Sequence, residues 1–272
     1  MKIVFIGGGN MAGALIGGLL AKGFSAQQMR VVEVLADARA RIAEHYGVAC
    51  EERLDGAPAA DEIVLLAVKP QQIGEAARVC GVRRDANLVI SIAAGVRLAT
   101  LARRLGGHRR LVRAMPNTPA LIGAGITGLY ANPNDVSEQD REYARAIMAA
   151  VGEVVWLEDE AQMDVVTAVS GSGPAYVFWF IEQLAAAGTA LGLAPDTARR
   201  LALETVHGAA RLAAGSAESP AVLRERVTSK GGTTEAALRV FAEEQLGERL
   251  ARAIESATRR GAELGNQLDR AD

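Results

Sequence analysis

The sequence is poor in the residues that usually announce chemistry. Only two cysteines, Cys50 and Cys80, stand in 272 residues. They have no C-x-x-C spacing and no histidine pair beside them, so neither a metal site nor a redox motif is expected. Free thiols in a reducing, cytoplasmic compartment are the expectation that remains, with no bound metal. An excess of one charge is missing too, because 30 Lys and Arg face 32 Asp and Glu for a net charge of −2. Nothing here attracts nucleic acid or an anionic membrane non-specifically, and no nucleic-acid partner is expected. The apolar stretch after Lys2 breaks at glycines within a few residues, which is not the pattern of a signal peptide.

Long uninterrupted apolar runs are also absent. Residues 175–193 (AYVFWFIEQLAAAGTALGL) come nearest, but Glu182 sits in the middle, and an acidic residue at a bilayer centre costs about 2.5–3.5 kcal/mol on insertion scales. A buried helix is expected there, not a membrane span. A hydrophobic fraction of 50% then describes a globular protein of one large or two ordinary domains.

What is present begins with the first thirteen residues, MKIVFIGGGNMAG. The apolar run Lys2–Ile6 reads as a strand. It passes through Gly7, Gly8 and Gly9 into an apolar helical pattern that opens at Met11. The spacing Gly7-x-Gly9-x-x-Ala12 is the Ala-ending form of the dinucleotide fingerprint, with phosphates expected on backbone N–H groups at the helix N-terminus. Alternation continues downstream. Strands are expected at residues 30–34, 63–68, 88–92 and 111–113, with helices at 13–22, 37–45, 71–79 and 98–105. That order argues a Rossmann-like, doubly wound parallel sheet. A strand at 126–130, a helix at 135–151 and a strand at 154–157 are expected to extend it, so the first domain is drawn at residues 1–159.

Strand signals disappear after that, and residues 160–272 read as an all-α domain. A helix running from Pro195 toward Ala214 has no broad polar face, and another starts at Ser219-Pro220. Between helices lies VTSKGGTTEAAL, residues 227–238, a flexible turn whose backbone donors can meet a small carboxylate at a helix start.

These stretches resemble the pyrroline-5-carboxylate reductases. The matching segments are FIGGGNMAGALIGGL (5–19), LAVKPQQ (66–72), SIAAGV (91–96), RAMPNTPA (113–120), SGSGPAYVF (170–178) and TSKGGTTEAAL (228–238). The resemblance implies reduction of 1-pyrroline-5-carboxylate to L-proline by NADPH, with NADH possible. It also implies a helical dimerisation domain, giving a homodimer or a higher multiple of dimers. It places the cofactor on Gly7, Gly9, Asn10, Met11 and Ala12 and along Ala67, Val68, Lys69 and Pro70; Asn117, between Pro116 and Pro119, is expected on the nicotinamide side of the cleft. It places the substrate carboxylate on the backbone of Gly231, Gly232 and Thr233, with the Thr234 hydroxyl on the ring nitrogen. Lys230 departs from the family pattern, where proline commonly precedes the glycine pair.

Several of these residues have a second reading. Thr233 and Thr234 also suit a plain helix cap, Asn117 an Asx turn, Lys69 a solvated side chain, and SGSGPA a packing kink. For the cofactor, Glu33 stands where an acid bonds the ribose of NAD, whereas Arg39 and Arg41 are placed to receive a 2′-phosphate. None of the three histidines (His45, His108, His207) is placed for catalysis. That absence suits a protonated imine, whose positive charge hydride itself neutralises, so that positioning carries most of the catalysis. Two alternatives stay in view. A β-hydroxyacid dehydrogenase would use a lysine in its helical domain, where Lys230 is the only one. A nucleotide sensor would keep the fold without turnover.

Overall fold

The computed structural model describes residues 1–82 and 85–270. By packing it divides into two units: residues 1–172 with those from Ala257 onward, and Gly173–Ser256. The sequence boundary at 159/160 marks where strands end. Packing instead groups the short helix after the last strand, and the end of the C-terminal helix, with the sheet.

In the first unit, strands β1 (Lys2–Ile6), β2 (Met29–Val32), β3 (Ala49–Glu51), β4 (Glu62–Leu66), β5 (Val89–Ser91), β6 (Leu111–Met115), β7 (Gly125–Tyr130) and β8 (Gly152–Trp156) form one sheet in the order β3-β2-β1-β4-β5-β6-β7-β8. The pairs from β3 through β6 are parallel, as the alternation of strand and helix requires. β7 runs antiparallel to β6, and β8 parallel to β7. A purely parallel sheet is thus corrected at its far edge. Only the 3₁₀ turn Thr118–Ile122 separates β6 from β7, and a parallel crossover needs a dozen residues or more. β3 gives no apolar run, and the sequence reading missed it.

Both faces of the sheet are covered. Ile3 and Phe5 point into one core with Leu15, Ile16 and Leu19 of α1 (Asn10–Ala21), Ile42 of α2 (Ala36–Tyr46) and Ile147 of α5 (Glu138–Met148). Val4 and Ile6 point into the other, with Ile73 of α3 (Ile73–Val79) and Leu101 of α4 (Leu98–Arg104). This strict alternation is why β1 and β4 read as continuous apolar runs. After β8 come α6 (Gln162–Val166) and a π turn at Thr167–Gly171, where the Ser172 N–H donates five residues back to Thr167.

The second unit is built from α7 (Gly173–Ala190), α8 (Pro195–Ala214), α9 (Pro220–Arg226), α10 (Thr233–Glu243) and the start of α11 (Leu246–Arg270). Pro174 falls in the first turn of α7, where a missing N–H costs nothing. α7 and α8 pack as an antiparallel pair, with Gly188 against Ala198: a Cβ on Gly188 would stand 3.3 Å from the Ala198 Cβ. Among the described residues, no helix is long and apolar enough to cross a membrane.

Candidate active site

The sheet order reverses between β1 and β4, and the carboxyl ends of these strands define the crevice where open α/β sheets bind ligands. Gly7 follows β1 with φ +101°, a conformation that an L side chain resists. A Cβ there would lie 2.8 Å from the Ala67 carbonyl oxygen and 2.9 Å from Val68 Cγ1. Gly7, Ala67 and Val68 are therefore brought together, locked by the Ala67 N–H to the Ile6 carbonyl at 2.8 Å. Lys69 and Pro70 follow, with Lys69 exposed.

α1 starts from Gly9 with no capping side chain and no acidic residue in its first turn. Nothing would meet a Cβ on Gly9 within 4 Å. The N–H groups of Gly9, Asn10, Met11 and Ala12 have no acceptor among the described residues, the helical ladder beginning at Gly13 N–H to Gly9 carbonyl. An uncapped helix start with open space above it fits a pyrophosphate, whose charge the helix dipole favours. Gly8 does something else: its N–H donates to Glu33 Oε2 at 2.8 Å, and the Leu35 N–H donates to Oε1 at 2.9 Å. β2 ends at Val32, so Glu33 sits just beyond the strand, held by the glycine turn after β1 and by its own loop after β2.

The two arginines differ. Arg39 Nη1 donates to the carbonyls of Glu33 and Val34 at 2.7 and 2.8 Å, and Nη2 lies 3.7 Å from Glu52. Arg41 has no ion pair among the described residues and lines a cavity of about 280 Å³ with Gly8, Gly9, Gly13, His45 and Tyr46.

Asn117 is buried, and its amide is engaged at both ends. Nδ2 donates to the Ser170 carbonyl at 3.2 Å, and Oδ1 accepts from the Ile126 N–H at 2.9 Å. It ties β7 to the π turn and forms no Asx turn. The α-helical donor to the Ser170 carbonyl would be residue 174, and Pro174 has no N–H to give, so the SGSGPA stretch leaves that carbonyl for Asn117.

In the second unit, α10 begins at Thr233, so the expected loop 227–238 is helical from its middle onward. Gly232 is the N-cap, and no side chain caps the helix, which replaces the reading of Thr233 or Thr234 as a cap. Gly231 adopts φ +74°. Its N–H donates to Glu235 Oε2 at 2.6 Å, and the Gly232 N–H donates to the Ser229 carbonyl at 3.0 Å. Of the three expected carboxylate donors, Thr233 alone keeps an N–H without an acceptor among the described residues, and the Thr234 and Glu235 N–H groups stand beside it in the same condition. Both threonine hydroxyls lack a partner among the described residues. Helix geometry hides this from a sequence reading, because which donors stay open depends on where the first turn starts.

Of the three histidines only His45 is near the glycine turn, in the lining of the cavity beside Arg41. His45 packs edge-on against Tyr46, His108 Nδ1 accepts from the Asp85 N–H at 3.0 Å, and His207 is exposed near Glu204. Among the described residues no cluster of His, Cys, Asp or Glu could hold a metal ion.

Comparison with known proteins bears on both units. Residues 160–264 match the family profile for pyrroline-5-carboxylate reductase dimerisation, and residues 2–95 match that for NADP oxidoreductase, coenzyme F420-dependent. A pyrroline-5-carboxylate reductase of Pseudomonas aeruginosa is 46% identical, with 98% of each chain covered. That of Haemophilus influenzae is 42% identical over 96% of this chain and 97% of the relative. Among solved structures, a pyrroline-5-carboxylate reductase from Coxiella burnetii superposes with a TM-score of 0.89 at 40% identity, covering 97% of this chain and 98% of the other. The Plasmodium falciparum enzyme, solved with NADP bound, reaches 0.80 at 26% identity with the same coverage.

Proposed function

This chain belongs to the pyrroline-5-carboxylate reductase family, and from that premise we propose which of its residues carry the reaction. The reaction is reduction of 1-pyrroline-5-carboxylate to L-proline, the last step of proline biosynthesis, with NADPH as cofactor and NADH also possible. We assign residues 1–159 to the cofactor and residues 160–272 to substrate binding and dimerisation. The substrate is a small molecule, and no nucleic acid takes part. The protein works as a homodimer or a multiple of dimers. Its two free thiols suit a reducing, cytoplasmic compartment.

Gly7, Gly9, Asn10, Met11 and Ala12 would hold the dinucleotide, with residues 67–70 along its side and Asn117 bracing the neighbouring turn. When bound, the reduced nicotinamide supplies a hydride to the imine carbon. The chain itself has three tasks. The open N–H groups at the start of α10 hold the substrate carboxylate, and the helix dipole adds to their pull. Gly231 and Gly232 shape the turn that presents them. The Thr234 hydroxyl bonds the ring nitrogen, fixing the ring plane without acting as a strong acid, since the nitrogen of a protonated imine already carries its proton.

The observation that carries this assignment is the pair of hydroxyls and backbone donors at Thr233 and Thr234 that have no partner among the described residues. The test is oxidation of NADPH by the purified protein with racemic pyrroline-5-carboxylate. Turnover with 3-hydroxyacids instead would return the assignment to the β-hydroxyacid dehydrogenases. Nucleotide binding with no consumption of the imine would make the protein a sensor.

A further inference from the structure

The loop after β5 is held from two directions. It leaves the sheet beside residues 67–70, because Ser91 pairs in register with Leu66 and the Ile92 N–H donates to the Leu66 carbonyl at 3.1 Å. Its far end enters α4, where the Leu98 N–H donates to Glu160 Oε1 at 2.8 Å. Against its other side lie the last turns of α11. The Asp269 carboxylate accepts from Arg97 Nη1 at 2.9 Å and from the Thr100 hydroxyl. Arg103 and Arg104 reach the carbonyls of Asp269 and Leu268 at 3.1 and 3.0 Å. Backbone passes backbone where Gly265 meets Gly95, since a Cβ on Gly265 would stand 3.1 Å from the Gly95 carbonyl oxygen.

The sheet does not need these contacts, as β5 is already paired on both sides. What they order is a loop at the carboxyl end of β5, one strand beyond the switch point between β1 and β4. Ligands of open α/β sheets bind at that end. A loop fixed before the ligand arrives spares the ordering cost on binding. We propose that Asp269 is a positioning residue for the cofactor: by holding Arg97 and Thr100 it fixes residues 93–97 in the shape that the dinucleotide binds. Asp269 touches no reacting atom and acts through this loop. The final turns of a helix that starts in the second unit thereby complete the cofactor unit. The proposal rests on the dinucleotide reading of the first unit and refines it.

The test compares Asp269→Ala, Asp269→Asn and Gly265→Ala with the wild type. Nucleotide affinity is read first, by fluorescence titration with NADPH and no imine present, and then KM and kcat are measured. Asp269→Ala should weaken NADPH binding about tenfold with kcat changed by less than about twofold, within the roughly 100-fold that a misplacement of about 1 Å can cost. Asp269→Asn keeps one acceptor oxygen and should recover part of the loss. Gly265→Ala should weaken binding in the same sense by pushing on Gly95. If the variants lower the melting temperature but bind NADPH like the wild type, the contacts are purely structural and the proposal is overturned. Should the alanine variant fail to fold, unchanged affinity in Asp269→Asn and Gly265→Ala overturns it equally. A wild type that binds NADPH yet leaves the imine untouched would remove the reductase assignment and leave this one standing.

Discussion

The Gly8 N–H and the Glu33 carboxylate meet at 2.8 Å, so the acid at the end of β2 is tied to the glycine turn itself. The Leu35 N–H holds its other oxygen. A carboxylate fixed in this way cannot swing aside, and Arg39, turned onto backbone carbonyls, does not neutralise it.

Cofactor preference should respond to that charge. In Glu33→Gln the side chain keeps its length and loses its repulsion of a 2′-phosphate. The ratio of kcat/KM for NADPH to that for NADH should rise about fivefold to tenfold, or about 1–1.4 kcal/mol, the scale of one screened charge pair. Steady-state kinetics with both cofactors decide it. An unchanged ratio would pass control to Arg41, which lines the adjoining cavity.

Thr234→Ala removes a hydroxyl and leaves the backbone donors of α10 in place. A hydrogen bond to a charged group contributes about 1.5–3 kcal/mol, so kcat should fall roughly 10- to 100-fold while KM rises much less. Thr234→Ser should restore most of kcat. Wild-type kinetics in the alanine variant would take Thr234 out of the site.

How much of this was legible in the sequence follows from the range of the forces involved. β1 and β4 are buried on both faces, so each reads as an apolar run, and the glycine fingerprint needs only the residues on either side of it. Long-range partners leave no such mark. Glu33 is 25 positions from Gly8, and Asp269 is 172 from Arg97. Neither pairing has a period or spacing to betray it. β3 is three residues paired to β2 alone, too short to show alternation. The direction of β7 was decided by the length of one turn. At the GGTT segment the residue types were plain, but which donors remain free depends on Glu235 reaching back to Gly231.

Asp140 gives a pH-dependent contribution to stability. Burial alone would push its carboxyl up, but the Arg110 guanidinium at 2.6 Å and the Ser137 hydroxyl at 2.8 Å overcome this and hold it below the usual carboxylate range. A pKa lowered by folding adds stability above the unfolded value, about 3.9, and loses it as the pH falls through the folded value. Asp140→Ala, which takes the ion-pair partner from Arg110 and the reciprocal half from the Ser137 capping box of α5, should cost about 3 kcal/mol near neutral pH. Urea unfolding should show the gap to wild type narrowing below about pH 5. A gap independent of pH would mean that packing, not the ion pair, sets the loss.

The helices of the second unit predict coupled folding and association. Val177, Phe178, Trp179 and Phe180 are consecutive on α7 and stand 44%, 66%, 58% and 41% exposed in the single chain. Consecutive helical residues point in directions about 100° apart, so no single neighbour covers all four. α8 takes one side of α7, and Gly188 allows that approach within the chain. The remaining aromatic surface, with Leu201, Leu203 and Leu212 of α8 also exposed, costs about 25 cal/mol for each Å² left in water. A second copy across a two-fold axis buries it on both chains at once, in the region that matches the dimerisation profile. The melting temperature should therefore rise with protein concentration, and Trp179→Glu should yield a less stable chain that no longer associates. Light scattering at low micromolar concentration gives the decisive mass. A monomer with full activity would refute the coupling, whereas a dimer or any multiple of it supports it.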